Sequence, residues 1–343
     1  VQQGETDRVQ TQNNVFRSRR AVLAGAACAF AAASINIAPV RAATKVRFLT
    51  SWFAVPEHGG FYQAKATGLY EAAGLDVDIQ MGGPQINGMQ LLGGGAADII
   101  MSYDIQVLES ISRGLPAIAI GAVNQFDLQG IMAHTDVPTL AALKGRKILL
   151  ASTAFSTFWP WLKLKYGFTD DQAGTYTFNL QPFYIDQTLS QQGYITAEPF
   201  EAQQHGVKTK FFLFADDGYP PYSTTLVTLR PYMEKNGDIL AKFVKATMEG
   251  WKSYLASPSA GNVLIKAANP HVTDDQIAYT IARFKAIKCV TGGDAAIHGI
   301  GIMTDERWRK TRDFLVRAKL LRPDVAWKTA YTTQFVAGLN IIA

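Results

Sequence analysis

From Lys45 onward, short β-type runs alternate with amphipathic helical stretches, and that alternation confines the chain to an α/β fold. The pattern predicts a strand at 45–51 (KVRFLTS), a helix at 60–70 and a second strand at 75–80. Gly82-Gly83-Pro84 then forces a turn, because neither helix nor strand tolerates such a run. A short helix at 87–92 is stopped by Gly93-Gly94-Gly95; a strand at 97–102, a helix at 105–113 and a strand at 117–123 follow. Strand–helix–strand repetition at this spacing implies a mainly parallel sheet covered by helices.

A second block repeats the theme. Residues 140–144 precede a strand at 146–151, a helix at 159–166, a strand at 175–180, a helix at 185–192 and a strand at 194–198. Residues 211–214 and 223–229 read as two further strands. Beyond Asp238 the chain turns helical, with Leu240, Phe243, Val244, Thr247, Trp251 and Leu255 at helical spacing. Thr273 with Gln276, and Thr304, open two more helices as caps. Two α/β blocks followed by a helical return predict two lobes joined by more than one crossover.

Residues 16–43 have a different character. A basic start is followed by an Ala/Gly-rich apolar stretch and by small residues around Ala42, the three-part organisation of an export signal. Cleavage is expected after Ala42 or Ala43, and Ser18-Arg19-Arg20-Ala21-Val22-Leu23 resembles a twin-arginine signature. The expected destination is therefore the periplasm. Of the two cysteines, Cys28 lacks a lipobox and would leave with the leader, so Cys289 alone remains and no intramolecular disulfide can form. Five of the 33 basic and two of the 28 acidic residues lie in the first 42 positions, so the remainder is close to neutral. No nucleic-acid footprint is present.

Catalytic signatures are missing from the sequence. It contains no Walker loop, HExxH, GxSxG elbow or dinucleotide fingerprint after the first strand, and no cofactor is implied. The histidines, at 58, 134, 205, 271 and 298, lack metal-ligand spacing. Gly93–Gly95 ends a helix rather than opening one, which is the wrong polarity for a phosphate cradle.

What stands out is polarity crowded with aromatics at strand ends, where α/β sheets bind their ligands. The loop after the first strand carries Trp52, Glu57, His58 and Tyr62. Gly83 follows the second strand, and Tyr103 and Asp104 follow the third. Ser152, Thr153 and Phe155 follow the strand at 146–151, and Tyr194 and Glu198 bound the strand at 194–198. A flat, partly polar ligand stacked on aromatics, with a carboxylate accepting its N–H groups, suits this set. Trp52, Phe155, Phe158 and Trp159 suit a core equally well, and His58 a satisfied structural role.

These residues resemble the NMT1/THI5-like group of periplasmic substrate-binding proteins of ABC importers, which includes thiamine-pyrimidine, sulfonate/taurine and nitrate binders. The similarity rests on Trp52 to Ala64, Gly68-Leu69-Tyr70, Gly74 to Val77, Gly82-Gly83-Pro84, and Leu91-Leu92 with Gly95 and Asp98. It continues through Leu143 to Ile148, Gln191 to Tyr194 with Glu198-Pro199, and Gly299 to Met303 with Arg307-Trp308. The resemblance implies a type II periplasmic-binding fold, with lobe one at 44–125 and 229–343 and lobe two at 126–228, closing on a ligand at a hinge. It implies a monomer that binds without chemistry and docks on a membrane permease with ATPase subunits. No Lys or Arg stands in the strand-end loops that carry the aromatics, which favours an amino-heterocycle such as a thiamine-pyrimidine precursor over a sulfonate or nitrate. Fungal members that make the thiamine pyrimidine carry a cysteine cluster that this chain lacks.

Overall fold

The computed structural model describes residues 42–342; the export signal expected before them lies outside the described residues. The first block folds as β1 (Thr44–Leu49), α1 (Gly59–Ala66), α2 (Leu69–Ala72), β2 (Leu75–Gln80), α3 (Gly88–Gly93), β3 (Ile99–Ser102), α4 (Asp104–Ser112) and β4 (Ala117–Asn124). The second contains β5 (Gln129–His134), β6 (Ile148–Leu150), α5 (Phe158–Tyr166), β7 (Ala173–Thr175), α6 (Gln181–Ile185), β8 (Ser190–Tyr194), α7 (Glu198–Gln204) and β9 (Thr209–Leu213). The chain then returns through β10 (Ser223–Leu229) into α8 (Arg230–Lys235), α9 (Gly237–Ala256), α10 (Ser259–Ala268), α11 (Asp274–Ile287), α12 (Ala295–His298) and α13 (Asp305–Arg317).

Two five-stranded sheets result, ordered β2-β1-β3-β10-β4 and β7-β6-β8-β5-β9. Each is parallel on one side: β1 pairs in parallel with β2 and β3, and β6 with β7 and β8. Each also takes one strand that reverses direction, β10 between β3 and β4, and β5 between β8 and β9. The sheets are thus mixed. Residues 223–228, which the family resemblance placed in lobe two, belong to β10 of the first sheet, so the return crossing falls before Ser223.

Sequence reasoning misplaced the elements around β8. The strand expected at 175–180 ends at Thr175, and the helix expected at 185–192 gives way to β8. The strand expected at 194–198 is instead the end of β8 and the start of α7. Ser190, Gln191 and Gln192 carry the polarity of a surface helix yet are buried in a central strand, where ladder pairing with β5 and β6 overrides propensity.

Packing explains the glycine pair of the first loop. Phe48 of β1 meets Phe61 of α1 at 4.7 Å, and Phe61 meets Trp251 of α9 at 5.7 Å. A Cβ on Gly59 would fall 2.0 Å from the Tyr254 ring, and one on Gly60 2.2 Å from Trp251. Gly59 and Gly60 therefore let α1 lie directly on the α9 aromatics. A continuous apolar core joins the lobes, taking Ile100 and Val227 from the first sheet and Ile131 and Ile148 from the second. Arg307 of α13 ties the two crossings together: its Nη2 donates to the carbonyls of Gln125 at 2.7 Å and Pro220 at 3.0 Å.

Candidate functional site

The loop after β1 is fixed by the turn after β2. Thr50 Oγ1 donates to the Trp52 carbonyl at 2.7 Å, and Gly82 N–H donates to the same oxygen at 3.1 Å. A Cβ on Gly82 would sit 2.4 Å from the Thr50 carbonyl, so only glycine admits this approach. The Trp52 ring is thereby presented towards the other lobe. It packs on Phe178, in the segment between β7 and α6, at 5.4 Å and 43°.

On the second lobe, Glu198 opens α7 and folds back over β8. Its Oε2 accepts the Tyr194 backbone N–H at 2.6 Å, and its Oε1 accepts the Tyr176 hydroxyl at 3.1 Å. Gly193 makes this possible: a Cβ there would lie 2.8 Å from Oε2. Burial pushes the Glu198 carboxyl up to about 7, against the opposing pull of those hydrogen bonds.

Tyr194 reaches the first lobe. Its hydroxyl meets that of Tyr103, the residue between β3 and α4, and Tyr103 Oη also accepts Gln129 Nε2 at 3.3 Å. Gln129 Nε2 in turn donates to Asp127 Oδ2 at 3.2 Å, and Gln129 N–H to Asp127 Oδ1 at 3.2 Å. Asp127 is fully buried on the first crossing, and burial drives its carboxyl up to about 7. Both phenols are held well above their ordinary range, by burial first and then by neighbouring negative groups.

Tyr103 Oη already accepts from Gln129, and only one phenol proton can be spent between Tyr103 and Tyr194. The other has no acceptor among the described residues. Glu57, whose carboxyl is raised by burial and eased by the nearby Thr196 hydroxyl, adds a third carboxyl; its Oε2 has no partner at hydrogen-bond geometry. Among the described residues none of Glu57, Asp127 and Glu198 forms an ion pair. Three buried carboxyls thus lie near a spare hydroxyl donor, and among the described residues no cation pairs with them.

Other candidates lie elsewhere. His58 is 1 % exposed beside Phe61, and burial lowers it to about 4, keeping it neutral. Tyr62 is buried in the α1–α9 core and its hydroxyl is pushed up to about 12. Asp104 is buried and satisfied by its surroundings: its oxygens accept the Tyr222 and Ile105 N–H groups at 3.0 and 2.7 Å and the Thr311 hydroxyl at 2.8 Å. Gly83 is buried against Phe53. Ser152 and Thr153 are exposed on a short 3-10 turn, and Phe155 packs only edge-on to Trp159 at 6.5 Å. Phe158 and Trp159 are core.

Asp127, Gln129, Tyr176 and Phe178 belong to the same contact network without having been anticipated. The polar run Asn124-Gln125-Phe126-Asp127 after the wholly buried β4 was the available signal for the first of them. A separate groove of about 700 Å³ lies beside α7, lined by Gln203, Phe211, Tyr279 and Arg283, and contains none of these carboxyls.

Residues 55–260 match the model of the family described as NMT1/THI5 like. The chain belongs to this family. The chain is 26 % identical over 234 residues to the formylaminopyrimidine-binding protein of Halalkalibacterium halodurans, covering 64 % of this chain and 69 % of that one. It is 22 % identical over 292 residues to the riboflavin-binding protein RibY of Chloroflexus aurantiacus, covering 81 % and 82 %. The periplasmic aliphatic sulphonate binding protein SsuA of Escherichia coli has the same fold, with a TM-score of 0.62 at 15 % identity over 83 % of this chain and 91 % of that one. This NMT1/THI5-like protein therefore has the two-lobed α/β architecture of periplasmic binding proteins, and the Trp52–Phe178 and Tyr103–Tyr194 contacts cross from one lobe to the other.

Proposed function

We propose that this protein captures a small amino-bearing heterocycle between its lobes, outside the cytoplasm, and presents it unchanged to a membrane permease driven by ATPase subunits. The observation that carries the proposal is the Glu198 carboxyl, held by Tyr194 N–H and Tyr176 hydroxyl beside a phenol pair with one unspent proton. An acceptor next to a donor complements an exocyclic amine next to a ring nitrogen. Lobe one is then 44–125 with 223–343 and lobe two 126–222, and a monomer suffices because both walls come from one chain. Trp52 supplies the stacking face, Tyr103 and Tyr194 the donor, and Glu198 the acceptor. Closure is favoured by contacts that only the closed state makes with the ligand.

The relative that binds formylaminopyrimidine supports this chemistry. A sulfonate is the second reading, suggested by the shared fold with SsuA. Three carboxyls without a facing cation weigh against it, since an anion gains nothing from closing on them. Synthesis of the pyrimidine is the enzymatic alternative within the family; the chain's only cysteines, Cys28 and Cys289, do not form the cysteine cluster that its fungal members carry.

Mass spectrometry of the small molecule released by denaturing protein purified from its native periplasm tests the proposal. An amino-heterocycle is expected. Recovery of a sulfonate, or conversion of the added heterocycle to a new compound, overturns it.

A further inference from the structure

Around the Trp52–Phe178 contact between the lobes, large apolar side chains gather at the surface. Among the described residues Phe53, Met81, Ile86 and Phe178 are 44 %, 42 %, 48 % and 51 % exposed. They are not scattered. Trp52 packs on Phe53 and on Phe178, each at 5.4 Å. Phe53 and Ile86 both come within 4.0 Å of a Cβ built on Gly83, and Met81 Sδ accepts the Ala54 N–H at 3.2 Å. Exposed apolar groups that cluster on a soluble surface mark a binding site, whereas single ones need no explanation.

Phe178 is the informative member. It comes from the opposite lobe and has φ of 60°, a left-handed backbone that a bulky residue adopts only when its surroundings impose it. Its ring is held between Trp52 and Tyr176, the latter at 5.2 Å, and the Tyr176 hydroxyl binds Glu198. One aromatic path therefore runs from the exposed rim to the carboxyl that anchors the ligand.

We infer that Trp52, Phe53 and Phe178 form an outer apolar subsite, and that the ligand is an amphipathic molecule with an amino-heterocycle inside and an apolar ring outside. This rests on the amino-heterocycle reading of the inner cleft and extends it to a larger substrate class. An inserted outer ring separates Trp52 from Phe178 and covers both faces, burying apolar surface that is otherwise left to water.

Calorimetric titration with two probes tests the inference: 4-amino-2-methylpyrimidine, and the same ring bearing a benzyl substituent at carbon 5. The benzyl compound should bind about tenfold tighter, the scale of burying one aromatic ring. Phe178→Gly, which suits the positive φ and so protects folding, should abolish that gain. Equal affinity for the two probes, or a gain that survives in Phe178→Gly, overturns the outer subsite alone. Failure of both probes to bind overturns the amino-heterocycle reading and the subsite with it.

Discussion

The hydroxyls of Tyr103 and Tyr194 touch across the cleft, one from the end of β3 and the other from the end of β8, and so join the two sheets by a side-chain hydrogen bond. Tyr103→Phe keeps the ring and removes the bond. Its loss should shift the balance of open and closed forms by about fivefold, the effect of ~1 kcal/mol for one hydrogen bond. Small-angle scattering of the ligand-free variant should show a larger radius of gyration than the parent. An unchanged radius would remove the pair as a clasp.

Gly193 is the second test of the site's construction. Its hydrogen faces the Glu198 carboxylate, and a methyl there would crowd Oε2 at 2.8 Å and Cδ at 2.9 Å. Gly193→Ala should expel the carboxylate from the Tyr194 N–H and destabilise the fold by about 1–3 kcal/mol, the usual cost of overpacking. Thermal unfolding reads the stability, and ligand affinity should fall with it. An alanine variant of parental stability and affinity would mean that Glu198 has room to spare.

Much of the first lobe was legible in the chain because its signals are local. β1, β2, β3 and their helices follow from alternation, glycine stops and apolar runs. The region 175–198 was not, because its burial is set by partners distant in sequence. Ser190–Gly193 is polar enough to read as surface, yet β5 and β6 enclose it, and β5 itself was overlooked. The same holds for the site. Trp52, Glu57, Tyr103, Tyr194 and Glu198, which the proposed site uses, were singled out by their place at strand ends, while His58 and Asp104 satisfy the same rule and are buried in the core. Phe178 carries no pattern at all; only its contact with Trp52 identifies it.

Asp127 makes stability depend on pH. Burial raises its carboxyl from 3.8 to about 7, so the native state holds the proton more tightly than the unfolded chain. Its contribution is fully present below about pH 4 and is lost as pH rises through about 7. Glu198, raised to about 7, and Asp104, raised to about 6, act in the same sense. His58, lowered to about 4, acts oppositely, losing stability as pH falls from 6.5 through 4. Asp127→Asn cancels only the first of these. The melting temperature of the variant minus that of the parent should rise from pH 4 to 7 and level off above. A flat difference would show that Asp127 is ionised in the native protein.

Glu198 is where the account is most exposed. Glu198→Gln preserves size but places an amide donor where the ligand's amine needs an acceptor. Above about pH 7, where the Glu198 carboxyl is ionised, the substitution should cost an amine-bearing ligand about 1.5–3 kcal/mol, the worth of a hydrogen bond to a charged group, or roughly ten- to a hundredfold in affinity. The decisive measurement is calorimetric titration of parent and Glu198→Gln with 4-amino-2-methylpyrimidine and with ethanesulfonate. Recognition by the carboxyl predicts tight binding of the aminopyrimidine by the parent and its loss in the variant, with no such loss for the sulfonate. Equal aminopyrimidine affinity in the two proteins, or a parent that binds only the sulfonate, would contradict it.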